Sequence, residues 1–279
     1  MKIGVIGNGF VGKATQILQC RDIMCLVYDK EPSLCVPECT TMRELRNCDI
    51  IFICVPTPMK SDGSCSTKIV ESVIHELRDL KYNGNICVRS TVPVGFCQSH
   101  NVDFMPEFLT EKNWENDFID CENWLIGIDD IHTHSKQTSY TRLFTLACQN
   151  KKLKHKSVSF EITKYCELVK YVRNVFLATK VSFCNEVYDL AQKHEIGWEI
   201  FSKMCFDDKR IGQSHCKVPG PDGKRGYGGT CFPKDVHSLQ HQFCKLNIPS
   251  PILDAVISRN ENIDRTEQDW YESKNRAVE

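Results

Sequence analysis

Lys2-Ile3-Gly4-Val5-Ile6-Gly7-Asn8-Gly9-Phe10-Val11-Gly12 decides how the rest of this chain is read. Residues 2–6 form a short apolar run suited to a buried strand, and Val11 to about Cys20 has the apolar spacing of the helix that follows it. Between them lies Gly-x-Gly-x-x-Gly. Gly7 permits a tight turn, Gly9 lets backbone approach a ligand closely, and Gly12 allows the helix to pack against the strand. Met24 to Tyr28 reads as a second strand ending at Asp29, 22 residues after Gly7. A glycine turn between strand and helix, with an acidic residue at the tip of the next strand, is the dinucleotide-binding arrangement. The pyrophosphate would meet the turn 7–12 (Gly7, Asn8, Gly9, Phe10, Val11, Gly12). Asp29 would accept from the ribose hydroxyls, which favours NAD over NADP, a preference that the neighbouring Lys30 tempers.

Outward from this unit, strands and helices alternate. Asp49–Val55 is a continuous apolar run ended by Pro56, as in a central parallel strand covered on both faces. A helical pattern covers Thr67 to Leu80, Asn85–Arg89 is a further strand, Asn123–Ile128 another, and a helix is expected near Thr138–Cys148. This order predicts a Rossmann-like, doubly wound α/β sheet. Two loops leave strand ends on one side, Val55-Pro56-Thr57-Pro58 and Ser90-Thr91-Val92-Pro93-Val94-Gly95. Val55, Thr57, Pro58 and Thr91 would therefore border the nicotinamide half of the cofactor.

After about residue 155 the pattern becomes helical. Apolar residues recur at helical spacing from Glu161 to about Lys193 without Gly or Pro, a helix of roughly 50 Å. Further helices are expected around Glu199–Cys205, Asp235–Leu246 and Ile252–Asn262. The organisation is thus a cofactor domain over 1–155 and an all-helical central domain over 156–279.

Composition narrows the function classes. The chain has 279 residues, 41% hydrophobic and 25% charged, with a formal net charge of −1. That balance gives no reason to expect a nucleic-acid or anionic-membrane partner. No apolar run reaches the ~18–20 residues of a bilayer span, and the expectation is a soluble cytoplasmic protein without a metal. Seventeen cysteines occur with no Cys-x-x-Cys pair; sixteen read as small hydrophobes kept reduced. Cys231 differs. It stands in Gly228-Gly229-Thr230-Cys231-Phe232-Pro233-Lys234-Asp235, where small residues open access to a thiol. A thiol working with a nicotinamide cofactor suggests oxidation through a covalent sulfur intermediate. Lys234 can favour the thiolate. On the long helix, Lys170 and Asn174 lie one turn apart and share a face, with Val169 and Val172 expected to turn toward the core.

The chain resembles the UDP-glucose/GDP-mannose dehydrogenase family. The matching motifs are the glycine turn 7–12, Val55–Pro58, Ser90–Gly95, Pro106-Glu107-Phe108-Leu109, Lys170-Tyr171-x-x-Asn174-x-Phe176-Leu177-Ala178-Thr179-Lys180, Arg210-Ile211-Gly212 and Gly228–Asp235. They occur in family order over nearly the whole chain. The resemblance implies oxidation of a nucleotide sugar, with UDP-glucose the favoured donor, at C6 to the uronate. It takes two NAD and passes through a thiohemiacetal and thioester on Cys231. It implies Lys170 at the developing alkoxide, Asn174 at water or sugar hydroxyls, Asp235 in proton transfer with a water, Thr91 positioning water and Glu107 as base for thioester hydrolysis. Glu111 and Lys234 are then cofactor contacts. Phe108, Leu109, Tyr227, Gly228 and Arg210 are substrate contacts, Arg210 reaching a neighbouring subunit in a homodimer built on helix 161–193.

Three departures stand out. Family members usually continue into a second Rossmann-like domain for the nucleotide, where this chain stops at Glu279, as a short natural variant, a truncated product or a fragment would; weak donor binding is expected of the chain as it stands. Met105 replaces a common Asn, and the loop 216–227 is long. Two other readings compete. One is a weak or silent NAD-binding or subunit-interaction protein, against which the retention of Cys231, Asp235, Lys170, Asn174 and Glu107 argues. The other is a two-electron β-hydroxyacid dehydrogenase, which has no use for the thiol.

Overall fold

The computed structural model describes residues 1–110, 112–129 and 134–279. The glycine turn sits where the opening stretch requires it, between strand β1 (Lys2–Ile6) and helix α1 (Phe10–Gln16). The helix is shorter than expected, because Cys20 and Ile23 pair across a tight turn that leads straight into β2 (Met24–Tyr28). There follow β3 (Ile50–Ile53), α2 (Lys68–Asp79), β4 (Asn85–Val88), α3 (Phe96–Ser99), β5 (Asp103–Phe104), α4 (Trp114–Ile119), β6 (Asn123–Gly127), α5 (His134–Gln149) and β7 (Ser157–Glu161). The helical region holds α6 (Thr163–Lys193), α7 (Trp198–Phe206), α8 (Phe232–Lys245) and α9 (Pro251–Arg259).

The strands form one sheet in the order β2-β1-β3-β4-β5-β6-β7. Every pairing is parallel except β5 with β6. The expected doubly wound sheet followed by helices, one of them long, is present. Every residue of β3 is buried, as its unbroken Ile-Ile-Phe-Ile demands of a strand covered on both faces. One apolar layer, with Ile3, Val5, Phe52, Phe144 and Tyr140, packs α1, α4 and α5 against the sheet. The opposite layer, with Ile51, Ile53, Ile74, Leu77 and Phe104, packs α2 and α3.

The chain divides into two compact units, residues 1–57 with 67–170, and residues 58–66 with 171–279. α6 runs through the division, giving its first residues, up to Lys170, to the first unit. The second unit has its own cores. Tyr171, Val175 and Ala178 of α6 meet Val236 and Leu239 of α8 and Val256 of α9. Further along α6, Cys184 and Ala191 join Trp198, Phe206, Cys216 and Val218.

One face expectation is corrected. Val172 is 49% exposed, not turned into a core. The buried stripe of α6 runs through Cys166, Glu167, Lys170, Tyr171, Asn174, Val175 and Ala178, at i, i+3, i+4 spacing. Val172 falls on the opposite face, with the exposed Tyr165, Leu168, Phe176, Phe183 and Leu190. The helix thus buries a lysine and an asparagine and exposes a row of apolar side chains.

Among the described residues, none of the cysteines forms a disulfide, no group of side chains has a metal-binding arrangement, and no helix is long and apolar enough to cross a membrane.

Candidate functional site

In the first unit the glycine turn is set by backbone crowding. Gly7 has φ of +94°, and any side chain there would lie 2.7 Å from the Cys54 carbonyl oxygen. A side chain at Gly12 would collide with the Gly7 carbonyl, whereas nothing lies within 4 Å of where one at Gly9 would be. Two positions are therefore closed by the protein itself, and the third is left open for something else to approach. Asn8 staples the turn. Its N–H donates to Asp29 Oδ2 at 2.7 Å, its Nδ2 donates to the Leu34 carbonyl at 2.6 Å, and Gln16 Nε2 donates to its Oδ1 at 2.7 Å. Asp29 Oδ1 accepts from the Glu31 N–H at 3.0 Å, so the carboxylate is fixed at the tip of β2. A cavity of about 770 Å³ opens beside it, lined by Tyr28, Asp29, Lys30, Arg43 and Glu76 among others. An open glycine, a fixed acidic tip and a cavity alongside fit an adenine dinucleotide. The turn Gly7–Gly12 would hold its pyrophosphate and Asp29 its ribose. Phe10 and Val11 are half-buried at the head of α1, and Lys30 is exposed at the cavity.

The other candidates of this unit lie near the carboxyl ends of β3 and β4 and in the segment after β5. Val55 is half-buried, and its carbonyl accepts from Ser90 Oγ at 2.6 Å, tying the two loops together. Thr57 and Thr91 are buried. Glu107 and Lys170 form a buried ion pair, Nζ to Oε2 3.2 Å, with side chains only 7% and 3% exposed. Glu107 Oε1 also accepts from the Leu109 N–H at 2.6 Å. Lys170 Nζ lies 5.9 Å from the centre of the Phe108 ring. Neither charge could be stable this deep without its partner. Glu111 lies outside the described residues.

In the second unit the cysteine loop leads into α8, with Cys231 at the N-cap and Pro233 and Asp235 in the first turn. This places Cys231 at the positive end of a 14-residue helix. Asp235 is fully buried and doubly held. Asn174 Nδ2 donates to Oδ2 at 2.6 Å, and Lys234 Nζ donates to Oδ1 at 2.5 Å. Burial works against the charge on Lys234, but the adjoining Asp235 carboxylate outweighs it and holds the ammonium above the usual lysine range. Cys231, Lys234, Asp235 and Asn174 are thus brought together around one buried carboxylate. Pro58 belongs to this unit and is buried.

Tyr227 is buried just before the loop, and a side chain at Gly228 would collide with the Arg265 guanidinium. Arg210 does not join the cluster. Its side chain is 90% exposed and pairs with Asp208 of the same chain at 2.5 Å. Sequence reasoning missed the residues that hold the loop, chiefly Asn185, Asn260 and Arg265. A signal existed for Asn260, a polar residue in the buried register Leu253, Val256, Asn260, Asp264.

Comparison with known proteins decides the family. Residues 36–145 match the family model for the NAD binding domain of the UDP-glucose/GDP-mannose dehydrogenase family, and residues 164–262 match its central domain. The chain belongs to the UDP-glucose/GDP-mannose dehydrogenase family. The NAD-binding match makes NAD its cofactor. A UDP-glucose 6-dehydrogenase of Rickettsia conorii is 36% identical over 234 residues, which is 78% of this chain and 50% of that protein. The chain thus spans about half the length of this curated relative. A UDP-glucose dehydrogenase structure from the archaeon Pyrobaculum islandicum superposes with a TM-score of 0.79 at 25% identity, covering 93% of this chain and 68% of that one. A 3-hydroxyisobutyrate dehydrogenase of Mycobacterium tuberculosis shares the fold, with a TM-score of 0.68 at 14% identity, over 92% of this chain and 91% of that one.

Proposed function

We propose that this chain oxidises the C6 primary alcohol of a nucleotide sugar, UDP-glucose first among them, to the carboxylate, with Cys231 as the covalent nucleophile. NAD, when bound, accepts the hydride of each of the two oxidations. The first oxidation gives the aldehyde. Cys231 Sγ then adds to the aldehyde carbon and forms a C–S bond, a thiohemiacetal. Its oxidation leaves a thioester, which one water cleaves to the carboxylate, returning the thiol. Lys170 would stabilise the oxyanion in these steps. Asp235, steadied by Asn174 and Lys234, would pass protons to and from water. Glu107 would act as base in the hydrolysis, with Thr91 orienting the water.

The observation that carries this reading is the half-buried Cys231 at the N-cap position of α8, one helical turn before the fully buried, doubly hydrogen-bonded Asp235. A dehydrogenase performing a single two-electron step has no use for such a thiol. We further propose a homodimer through the exposed apolar face of α6, with Arg210 serving the partner's substrate, and a cytoplasmic location, where seventeen thiols remain reduced. The test is stoichiometry. The parent protein should yield two NADH per UDP-glucose, and Cys231→Ser should stop at one or lose activity. Two full oxidations in Cys231→Ser would refute the thioester route.

A further inference from the structure

The chain that delivers Cys231 arrives through Arg225-Gly226-Tyr227-Gly228, and three of these residues are gripped by buried polar side chains. Asn185 Oδ1 accepts from Arg225 Nε at 3.2 Å and from the Gly226 N–H at 3.3 Å. Arg225 Nη2 donates to Asp264 Oδ1 at 2.8 Å. Asn260 takes both backbone groups of Tyr227. Its Oδ1 accepts from the Tyr227 N–H at 2.8 Å, and its Nδ2 donates to the Tyr227 carbonyl at 3.0 Å. A carboxamide that pairs with one residue in this way imitates a neighbouring strand, and it fixes that residue's position and plane together. Asn260 is fully buried, so neither group of Tyr227 can exchange it for water.

We propose that Asn260 is the positioning residue of the Cys231 loop, its carboxamide clamping Tyr227 four residues before the thiol. The proposal rests on the reading of Cys231 as the reacting group. Two features separate a clamp from ordinary helix-end packing. First, the side-chain hydrogen bonds of Asn260 go to the loop, while its backbone carbonyl accepts from the Arg265 N–H at 2.8 Å and finishes its own helix. Loss of the side chain therefore falls on the loop. Second, the loop is shaped for the clamp. Gly226 has φ of +66°, and a side chain there would collide with Asn260 Oδ1. Beyond the grip, Gly229 has φ of +72° with open space where a side chain would be; Tyr227 is thus the fixed point on one side of the segment 229–231, and α8, whose Asp235 N–H donates to the Cys231 carbonyl at 3.0 Å, holds the other. Reacting groups tolerate little misplacement.

The chain carries its own reporters for the test. The tryptic peptide 226–234 holds Cys231 as its only cysteine, and the peptides 82–89 and 181–193 hold Cys87 and Cys184, both 0% exposed. A brief iodoacetamide pulse on the folded protein, followed by denaturation, blocking and digestion, gives the three alkylation rates separately. In Asn260→Ala, Cys231 should alkylate at least fivefold faster, with Cys87 and Cys184 within twofold of the parent. kcat with UDP-glucose and NAD should fall at least tenfold in the same variant. A more accessible thiol with a slower reaction is the mark of lost positioning. Asn260→Asp, in the protonated form that full burial favours, keeps both the acceptor for the Tyr227 N–H and a donor for the Tyr227 carbonyl and should lie between parent and Ala.

A Cys231 rate within twofold of the parent in folded Asn260→Ala overturns the proposal. If Asn260→Ala raises all three rates alike, it has unfolded and Asn260→Asp decides; an equal rise at all three sites there also overturns the clamp. A parent protein without nucleotide-sugar oxidation, but with the selective rise at Cys231, would sink the proposed function and leave the clamp standing.

Discussion

Removing the lysine from the Lys170–Glu107 pair should cost far more than removing a typical salt-bridge partner. An exposed pair contributes about 0–1 kcal/mol. Here the two side chains are 3% and 7% exposed, so Lys170→Met strands a buried carboxylate, which costs about 3–5 kcal/mol. Lys170→Met should therefore lose about 3–5 kcal/mol of stability at pH 8. The double variant Lys170→Met/Glu107→Gln removes both charges, and Gln retains an oxygen for the Leu109 N–H. It should recover at least half of the loss at pH 8. Urea unfolding of the parent and both variants at pH 8 measures this directly. A Lys170→Met variant within about 1 kcal/mol of the parent at pH 8 would refute the buried-pair argument.

Other outcomes follow from the same geometry. Gly9→Ala meets no protein atom, so it should leave the melting temperature unchanged while weakening NAD binding at least tenfold by calorimetry. Gly12→Ala collides with the Gly7 carbonyl and should lower both. Asp269 is hydrogen-bonded by Arg265 and Lys224, and these partners pull its pKa down to about 2. A depressed carboxyl stabilises the fold above its unfolded pKa, and that contribution, about 1 kcal/mol after solvent screening, should vanish between pH 4 and 2 in the parent and be absent in Asp269→Asn. Phe176→Glu/Phe183→Glu places charges on the exposed face of α6 and should convert the proposed homodimer to monomer in sedimentation experiments, with a melting temperature that no longer depends on protein concentration.

What the sequence makes legible is whatever local chemistry dictates. The glycine turn declares itself because Gly7 needs a positive φ and Gly12 needs to lack a side chain, and both demands are met within a dozen residues of backbone. β3 is plain because a strand covered on both faces must be apolar throughout. β7 is not. Ser157–Glu161 is exposed and half-buried by turns, an edge strand whose identity comes only from its pairing with β6. β5 has two residues, too few to carry any period. The face of α6 is misread for a deeper reason. A helix normally buries its apolar row, so Val172 is expected inside. The rule fails because this helix spends its buried face on Lys170 and Asn174, each with a carboxylate partner distant in sequence. Glu107 is 63 residues from Lys170, and Asp235 is 61 from Asn174. A buried charge is tolerable only with its partner, and the partner is invisible until the chain is folded. The same holds for Asn260, whose worth depends on the backbone of Tyr227, 33 residues away. The places where local rules mislead are thus the places where a polar side chain is buried for a distant partner, and in this chain those partners gather in the segments that carry Glu107 and Cys231.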